Sequence, residues 1–197
     1  ASTRIFVGNA DGGTTEASLS TTDVFQLTMI DRVVTRMKTA SPTFRPISYR
    51  GGKYYVAFLH PNQVFSLKTD ATAARVTWYD AQKALVQGGQ SEEVNGIFTG
   101  ALGIYNNVIL HEAVRIPNAP GGSNAANVRR AVICGAQAAS LAFGSEDNDL
   151  MAKWTEKYFD YENQLGIAGS IIWGMKKSVF NSTDFSTYVI STYAAAP

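Results

Sequence analysis

Two histidines are the residues of this sequence best suited to proton transfer, because the pKa of histidine lies near neutral pH. His111 stands beside Glu112, and a histidine next to a carboxylate is a candidate general base. Neighbours on a strand point to opposite faces, so we expect this pair to end a structural strand without acting as a dyad. His60 precedes Pro61 at the end of a predicted strand, where capping or packing is the commoner role.

Other reactive constellations are missing from the sequence. Cys134 is its only cysteine and lies in the apolar stretch "AVICGAQ", which predicts a buried, inert thiol. A structural zinc site needs about four Cys or His ligands, and the chain lacks them. The acidic loop with Glu146, Asp147 and Asp149 lacks the glycine and terminal glutamate of a calcium loop. We find neither a phosphate loop nor a nucleophile elbow. We therefore expect no enzyme, and no catalytic, cofactor-binding or metal-binding residues.

The charge balance narrows the class of partner. Among 197 residues, 17 are basic and 16 are acidic, which gives a formal net charge of +1. A dedicated nucleic-acid-binding protein would carry a basic stripe. The apolar runs are too short to cross a bilayer, and the first residues lack the layout of a signal peptide.

The first half of the chain predicts helices around one hairpin. Residues 20–40 carry an apolar stripe at helical spacing, and Pro42 follows them. Gly51 and Gly52 predict a turn before an aromatic and β-branched strand that Pro61 ends. Residues 62–70 predict a short helix, and residues 71–89 predict a longer one that closes on two glycines. The apolar stripe of residues 20–40 consists of Val24, Leu27, Ile30, Val34 and Met37.

The second half is richer in predicted strands. Asn106 and Asn107 supply a turn that tolerates positive φ, so residues 97–112 predict a hairpin. Residues 128–144 begin β-like and become alanine-rich, which predicts a strand that leads into a short helix. Residues 166–180 and 184–195 predict two closing strands. Because strands and helices do not alternate regularly, the order favours the α+β class over a doubly wound parallel sheet.

Five segments carry a resemblance to a known family. They are "FRPIS", "GGKYYVAFLHPNQVFSL", "IFTGALGIYNNVILHEAVRI", "RRAVICGAQAASLAFG" and "DFSTYVISTYAAAP". In this order and spacing they resemble the major capsid proteins of tailed phages, in particular the N4-like branch. The resemblance covers nearly the whole chain, and the segment that contains His111 and Glu112 is its most specific part.

The resemblance implies the Johnson fold, which is the shell-protein fold of tailed phages and herpesviruses. It implies a single capsid-type unit over residues 1–197. Residues 41–110 would belong mainly to the axial domain, and residues 111–197 to axial and peripheral β-structure. No stretch matches the N-terminal arm, the extended loop or the spine helix, so the chain resembles the C-terminal part of such a protein.

The same resemblance implies a structural subunit that self-associates into the pentamers and hexamers of an icosahedral shell around double-stranded DNA. Its partners would be copies of itself, with other capsid or decoration proteins as further candidates. It would touch packaged DNA only by weak nonspecific contact and would touch no membrane. It would reside in the virion, after synthesis in the cytoplasm of the host bacterium. Loops 9–18 and 118–127 are our candidate contact loops.

Two sets of side chains are candidates for contacts with partners. Trp78, Trp154 and Trp173 are spread as core and interface anchors usually are. Arg129, Arg130, Lys176 and Lys177 are candidates for ion pairs between subunits.

The alternative to a shell subunit is a small-molecule or glycan-binding module without catalysis. It would use a stacking surface of aromatic rings, formed by Tyr54, Tyr55, Tyr79 and Tyr105. A hydrolase that uses His60 or His111 with an acidic partner ranks below both.

Overall fold

The computed structural model describes residues 4–8, 15–49, 51–69, 78–80, 83, 102–119, 127–144 and 152–197. In this part of the chain the helices are α1 (Leu27–Thr39) and α2 (Pro61–Thr69). The strands of the first half are β1 (Ile5–Val7), β2 (Ile47–Tyr49), β3 (Gly52–Leu59), β4 (Gly103–Tyr105) and β5 (Val108–Glu112). The strands of the second half are β6 (Val128–Cys134), β7 (Ala139–Gly144), β8 (Ala152–Phe159), β9 (Gln164–Lys177), β10 (Val179–Phe180), β11 (Thr183–Asp184) and β12 (Thr187–Tyr193).

The chain divides into two compact units. The larger unit comprises Ala1–Ala138 and Val179–Pro197, and the smaller unit comprises Ala139–Ser178. A sheet with the order β1-β12-β6-β3-β5-β4 forms the larger unit, and β2 pairs with β3 beside it. In this sheet β1 runs parallel to β12 and β3 runs parallel to β5, whereas the other pairs are antiparallel. Mixed pairing beside few helices is the arrangement of the α+β class.

Helix α1 supplies one wall of the core. The four residues of the predicted stripe that lie in this helix are buried and pack into one cluster with inward-facing residues of the central strands. The helix begins at Leu27, and Val24 instead forms a bridge with Tyr193. The prediction that the helix begins near Ser20 was wrong, because the Asp23 carboxylate accepts hydrogen bonds from the Ser20 backbone N–H (2.8 Å) and hydroxyl (2.9 Å). Such a side-chain turn competes with helical hydrogen bonding.

Three of the predicted local elements are confirmed. Gly51 takes a φ of 79° between β2 and β3, in the left-handed region that glycine adopts without strain. Asn106 and Asn107, with φ of 44° and 60°, form the two-residue turn between β4 and β5. Helix α2 follows β3 directly.

Two segments differ from the sequence prediction. Residues 139–144 form β7 and not a short helix, because their backbone pairs antiparallel with residues 172–177 of β9. Strand β8 was not predicted at all, and it pairs antiparallel with residues 164–171 of the same long strand. Pairing between segments far apart in sequence overrides the weak preference of a short alanine-rich stretch for helix. The predicted helix over 71–89 lies mostly outside the described residues, although 78–80 and 83 are helical.

Candidate subunit contact surface

His60 caps helix α2 and is not exposed for chemistry. Its Nδ1 accepts a hydrogen bond from the Asn62 backbone N–H (3.2 Å), and its own backbone N–H donates to Gln63 Oε1 (3.1 Å). Together with Pro61 at the first helical position, this arrangement is the reciprocal capping box of a helix N-terminus. Burial lowers the pKa of His60, and the nearby positive charge of Arg129 lowers it further, while Glu112 acts in the opposite direction.

The capping role makes stability depend on pH. Because the pKa of His60 is lowered in the folded chain, the unfolded chain binds a proton first as pH falls below the ordinary value of 6.5. We therefore expect the free energy of unfolding to fall over the pH interval just below 6.5, by up to about 1.4 kcal/mol per pH unit for one group.

Urea titrations of the wild type and of His60→Asn at several pH values measure this dependence. Asparagine keeps a side-chain acceptor for the helix N-terminus but does not titrate, so its profile should be flatter over that interval. A His111→Asn variant should keep the dependence that His60 causes. Parallel profiles for the wild type and His60→Asn would contradict the assignment.

His111 and Glu112 lie on opposite faces of β5. His111 pairs in register with Phe58 and stacks on its ring, with centroids 6.0 Å apart, whereas Glu112 pairs with the buried Leu59. The prediction that they do not act as a dyad is consistent with this register.

The remaining residues that were considered for catalysis or metal binding do not come together within the described ranges. Cys134 is half-buried, and burial raises the pKa of its thiol, which disfavours the reactive thiolate. Within the described ranges, no group of three or more His, Cys, Asp or Glu side chains could hold a metal ion. Glu146, Asp147 and Asp149 lie outside those ranges.

The four tyrosines of the glycan-binding alternative do not share a surface. Tyr55 is buried, and its hydroxyl faces the Phe44 carbonyl oxygen (3.4 Å). The hydroxyl of Tyr105 donates to Asp31 Oδ2 (2.9 Å). Burial, with this hydrogen bond, raises the pKa of Tyr105 to about 12. Tyr54 is the neighbour of Tyr55 on β3 and points to the other face, while Tyr79 is 67% exposed.

Arg130 is engaged within its own chain. Its Nε donates to Glu16 Oε1 (2.7 Å), its Nη2 contacts Glu16 Oε2, and Ser191 donates to the same carboxylate. The bidentate hydrogen bonds from Arg130 lower the pKa of Glu16 despite its partial burial. The ion pair between Arg130 and Glu16, with the hydrogen bond from Ser191, links the segment after β1 to β6 and β12. The Arg130 side chain is therefore engaged in a contact that stabilises its own chain. The Arg129 guanidinium is oriented inward and donates to the Ile116 carbonyl oxygen (3.4 Å).

The sheet of the smaller unit has one exposed face that is strongly apolar. Strand β9 pairs with β8 over its first eight residues and with β7 over its last six. Directly opposed residues of antiparallel strands share a face, and successive residues alternate. One face, which we call the apolar face, therefore presents nine large apolar side chains, each between 45% and 70% exposed. They are Leu141, Phe143, Trp154, Tyr158, Leu165, Ile167, Ile171, Trp173 and Met175.

The opposite face of the same sheet, the polar face, has a different composition. It carries Lys153, Lys157 and Lys176, while small or polar residues fill most of its other positions. Its large apolar side chains are Ile172 and Phe159, and the Lys157 ammonium group lies over the Phe159 ring, 5.4 Å from its centroid. An amphipathic sheet normally buries its apolar face against another layer. Here that face is exposed.

The three tryptophans divide between core and surface. Trp78 is buried with the core, whereas Trp154 and Trp173 are 64% and 60% exposed on the apolar face. The sequence suggested core and interface anchors but did not group the two exposed rings. The signal that could have found the surface is the two-residue alternation Leu165, Ile167, Ile171, Trp173 and Met175.

The described part of the chain contains no helix long and apolar enough to cross a membrane. Loop 118–127 falls largely outside the described residues, as does the first part of loop 9–18.

Comparison with known proteins identifies the family. The model of a family described as "Phage capsid protein" matches residues 1–196. The major capsid protein of Pseudomonas phage KPP25 is 32% identical over an alignment of 161 residues that covers 74% of this chain and 39% of that protein. The capsid of Ralstonia phage GP4 matches with a TM-score of 0.70 and 32% identity, over 98% of this chain and 53% of that chain.

A more distant structure shares the fold. The capsid asymmetric unit of cyanophage Pam1 matches with a TM-score of 0.72 and 20% identity, over 98% of this chain and 55% of that chain. This chain thus spans about half the length of the solved capsid chains it matches and less of the curated relative. The α+β class and the capsid fold implied by the resemblance are confirmed. The chain belongs to the phage capsid protein family.

Proposed function

We propose that this chain is the shell-forming part of a phage major capsid protein, whose copies associate into pentamers and hexamers around double-stranded DNA. The observation that carries the proposal is the agreement in fold with two capsid chains over 98% of the sequence. Family membership over residues 1–196 supports it independently. We assign residues 41–110 mainly to the axial domain and 111–197 to axial and peripheral β-structure, in line with the family resemblance.

The mechanism is repeated contact between copies, with no bond made or broken in a substrate. Rings that close at five or six copies need contacts between different surfaces of one subunit. A net charge near zero limits repulsion between closely packed copies. The same near-zero charge supports only weak nonspecific contact with the packaged DNA, which the volume of the shell would confine. Other capsid or decoration proteins are further partners, and the location is the virion, after synthesis in the bacterial cytoplasm.

Particle analysis tests the proposal. Phage particles from the host are purified on a density gradient, and the gradient fractions are analysed by quantitative mass spectrometry. Peptides from this chain should co-purify with the DNA-filled particles at about the copy number of a shell protein, in hundreds per particle. An antibody raised against the chain should decorate the head and not the tail in electron micrographs. Peptides confined to the soluble fraction, or labelling only of the tail, would contradict a shell function.

A further inference from the structure

We propose that His60 is a pH-sensitive switch that loosens the first turn of α2 and the segment after β12, residues 194–197, when its ring binds a proton. Any buried histidine makes the stability of a protein depend on pH. The hydrogen bonds around the His60 ring, which is 8% exposed, determine in addition where the chain opens.

The hydrogen bond at Nδ1 fixes the form of the neutral His60 ring. Nδ1 accepts from the Asn62 backbone N–H (3.2 Å), so the proton of the neutral imidazole is on Nε2. A second proton must therefore bind at Nδ1 itself. Protonated Nδ1 is a donor, and it would face another donor, the Asn62 N–H. The hydrogen bond is then lost, and the first turn of α2 has to move away from the ring.

Asn62 transmits this change to the segment after β12. Its side-chain Nδ2 donates to the Ala194 carbonyl oxygen (3.1 Å), which joins α2 to residues 194–197. Ser66 and Thr69 of α2 and the same segment line one groove. A displacement of Asn62 therefore removes a hydrogen bond that holds the segment against the helix.

Neighbouring contacts confine the opening. The Ala194 backbone N–H donates to the Asn127 carbonyl oxygen (2.7 Å), and this bond does not involve the His60 ring. Further along α2, Val64 and Leu67 are buried in the core cluster. We therefore expect the end of α2 and strand β12 to stay in place while the first turn and residues 194–197 loosen.

The surroundings of His60 set the pH at which the switch responds. Burial is the main obstacle to protonation, the positive charge of Arg129 on β6 opposes it as well, and Glu112 on β5 favours it. From α2, the contacting side chains of Asn62 and Gln63 are uncharged. The pKa of His60 therefore lies below its ordinary value of 6.5, and the switch responds below that pH.

Hydrogen exchange in the full-length protein that contains this chain tests the switch. Exchange is followed by mass spectrometry at about pH 7.5 and about pH 5.5, and is corrected for the intrinsic effect of pH on amide exchange. Peptides that cover residues 61–66 should open more readily below pH 6.5, by up to about tenfold per pH unit. Peptides from β5 should stay protected at both values.

A spin label reports on the segment after β12. Ala196 is exposed, so a nitroxide on Ala196→Cys leaves the packing intact, and a Cys134→Ser background removes the native thiol. The label should become more mobile over the same pH interval. A label whose mobility does not change would overturn the transmission from Asn62 to this segment.

Three variants distinguish a switch from a purely structural role of His60. His60→Asn keeps a side-chain acceptor for the Asn62 N–H but does not titrate, so it should stay closed at both pH values. His111→Asn should respond like the wild type. Glu112→Gln removes an exposed charge that favours protonation of His60, so the onset of opening should move to lower pH.

The outcomes of these experiments do not depend on whether the protein forms a shell. Equal acid-induced opening of His60→Asn and the wild type would overturn the switch. Exchange of the wild type that is the same at both pH values would overturn it, and so would exchange of β5 together with α2, which is global unfolding. If His60→Asn does not fold, Glu112→Gln decides, because an unchanged onset would mean that another group senses the pH.

Discussion

Replacing Leu110 with alanine is expected to lower the free energy of unfolding by about 2–5 kcal/mol, the usual cost of removing a fully buried leucine side chain. Leu110 on β5 is 0% exposed and belongs to the core cluster beneath α1. The substitution removes apolar contacts and leaves a cavity that the close-packed strands on either side of β5 fill only in part. Urea-induced unfolding, followed by far-UV circular dichroism, measures the change in midpoint and in free energy.

Leu141→Ala is the matched control for Leu110. The chemical change is identical, but Leu141 is 56% exposed on the apolar face. Its effect on the free energy of unfolding should stay within about 0.5 kcal/mol, as for most surface substitutions. If both variants lost equal stability, the division between a buried core and an exposed apolar face would be wrong.

Replacing Gln63 with methionine is expected to lower the free energy of unfolding by about 2–4 kcal/mol, because buried polar partners lose their hydrogen bonds. Gln63 is 0% exposed. Its Nε2 donates to Thr192 Oγ1 (2.8 Å) and to the Arg129 carbonyl oxygen (3.1 Å), while its Oε1 accepts from the His60 backbone N–H. One amide therefore joins the N-terminus of α2 to β6 and β12. Methionine has a similar length but makes none of these bonds.

Gln164→Met serves as the control for Gln63, since Gln164 is exposed at the start of β9. Thermal unfolding of both variants, monitored in the larger unit through near-UV signals, distinguishes them. A Gln63→Met protein with the midpoint of the wild type would show that the hydrogen bonds of this amide contribute little.

Part of the apolar face could be predicted from the sequence. The segment 166–180 was correctly predicted as a strand, and its alternation of large apolar residues is visible in the printed letters. Strand β8 escaped prediction because Lys153, Glu156 and Lys157 interrupt its pattern. Only pairing with β9 fixes which of its residues share a face with Trp173.

By itself the sequence determined the local elements and the family. The stripe of α1, the turn at Asn106 and Asn107 and the helix after His60 follow from side-chain spacing and backbone preference over a few residues. The five quoted segments carried the capsid resemblance. The tertiary structure decided the properties that depend on distant partners: the pairing of Arg130 with Glu16, the strand at 139–144 and the exposure of the apolar face. Burial and strand pairing are set by contacts between residues far apart in the chain, and the order of residues along one segment does not contain them.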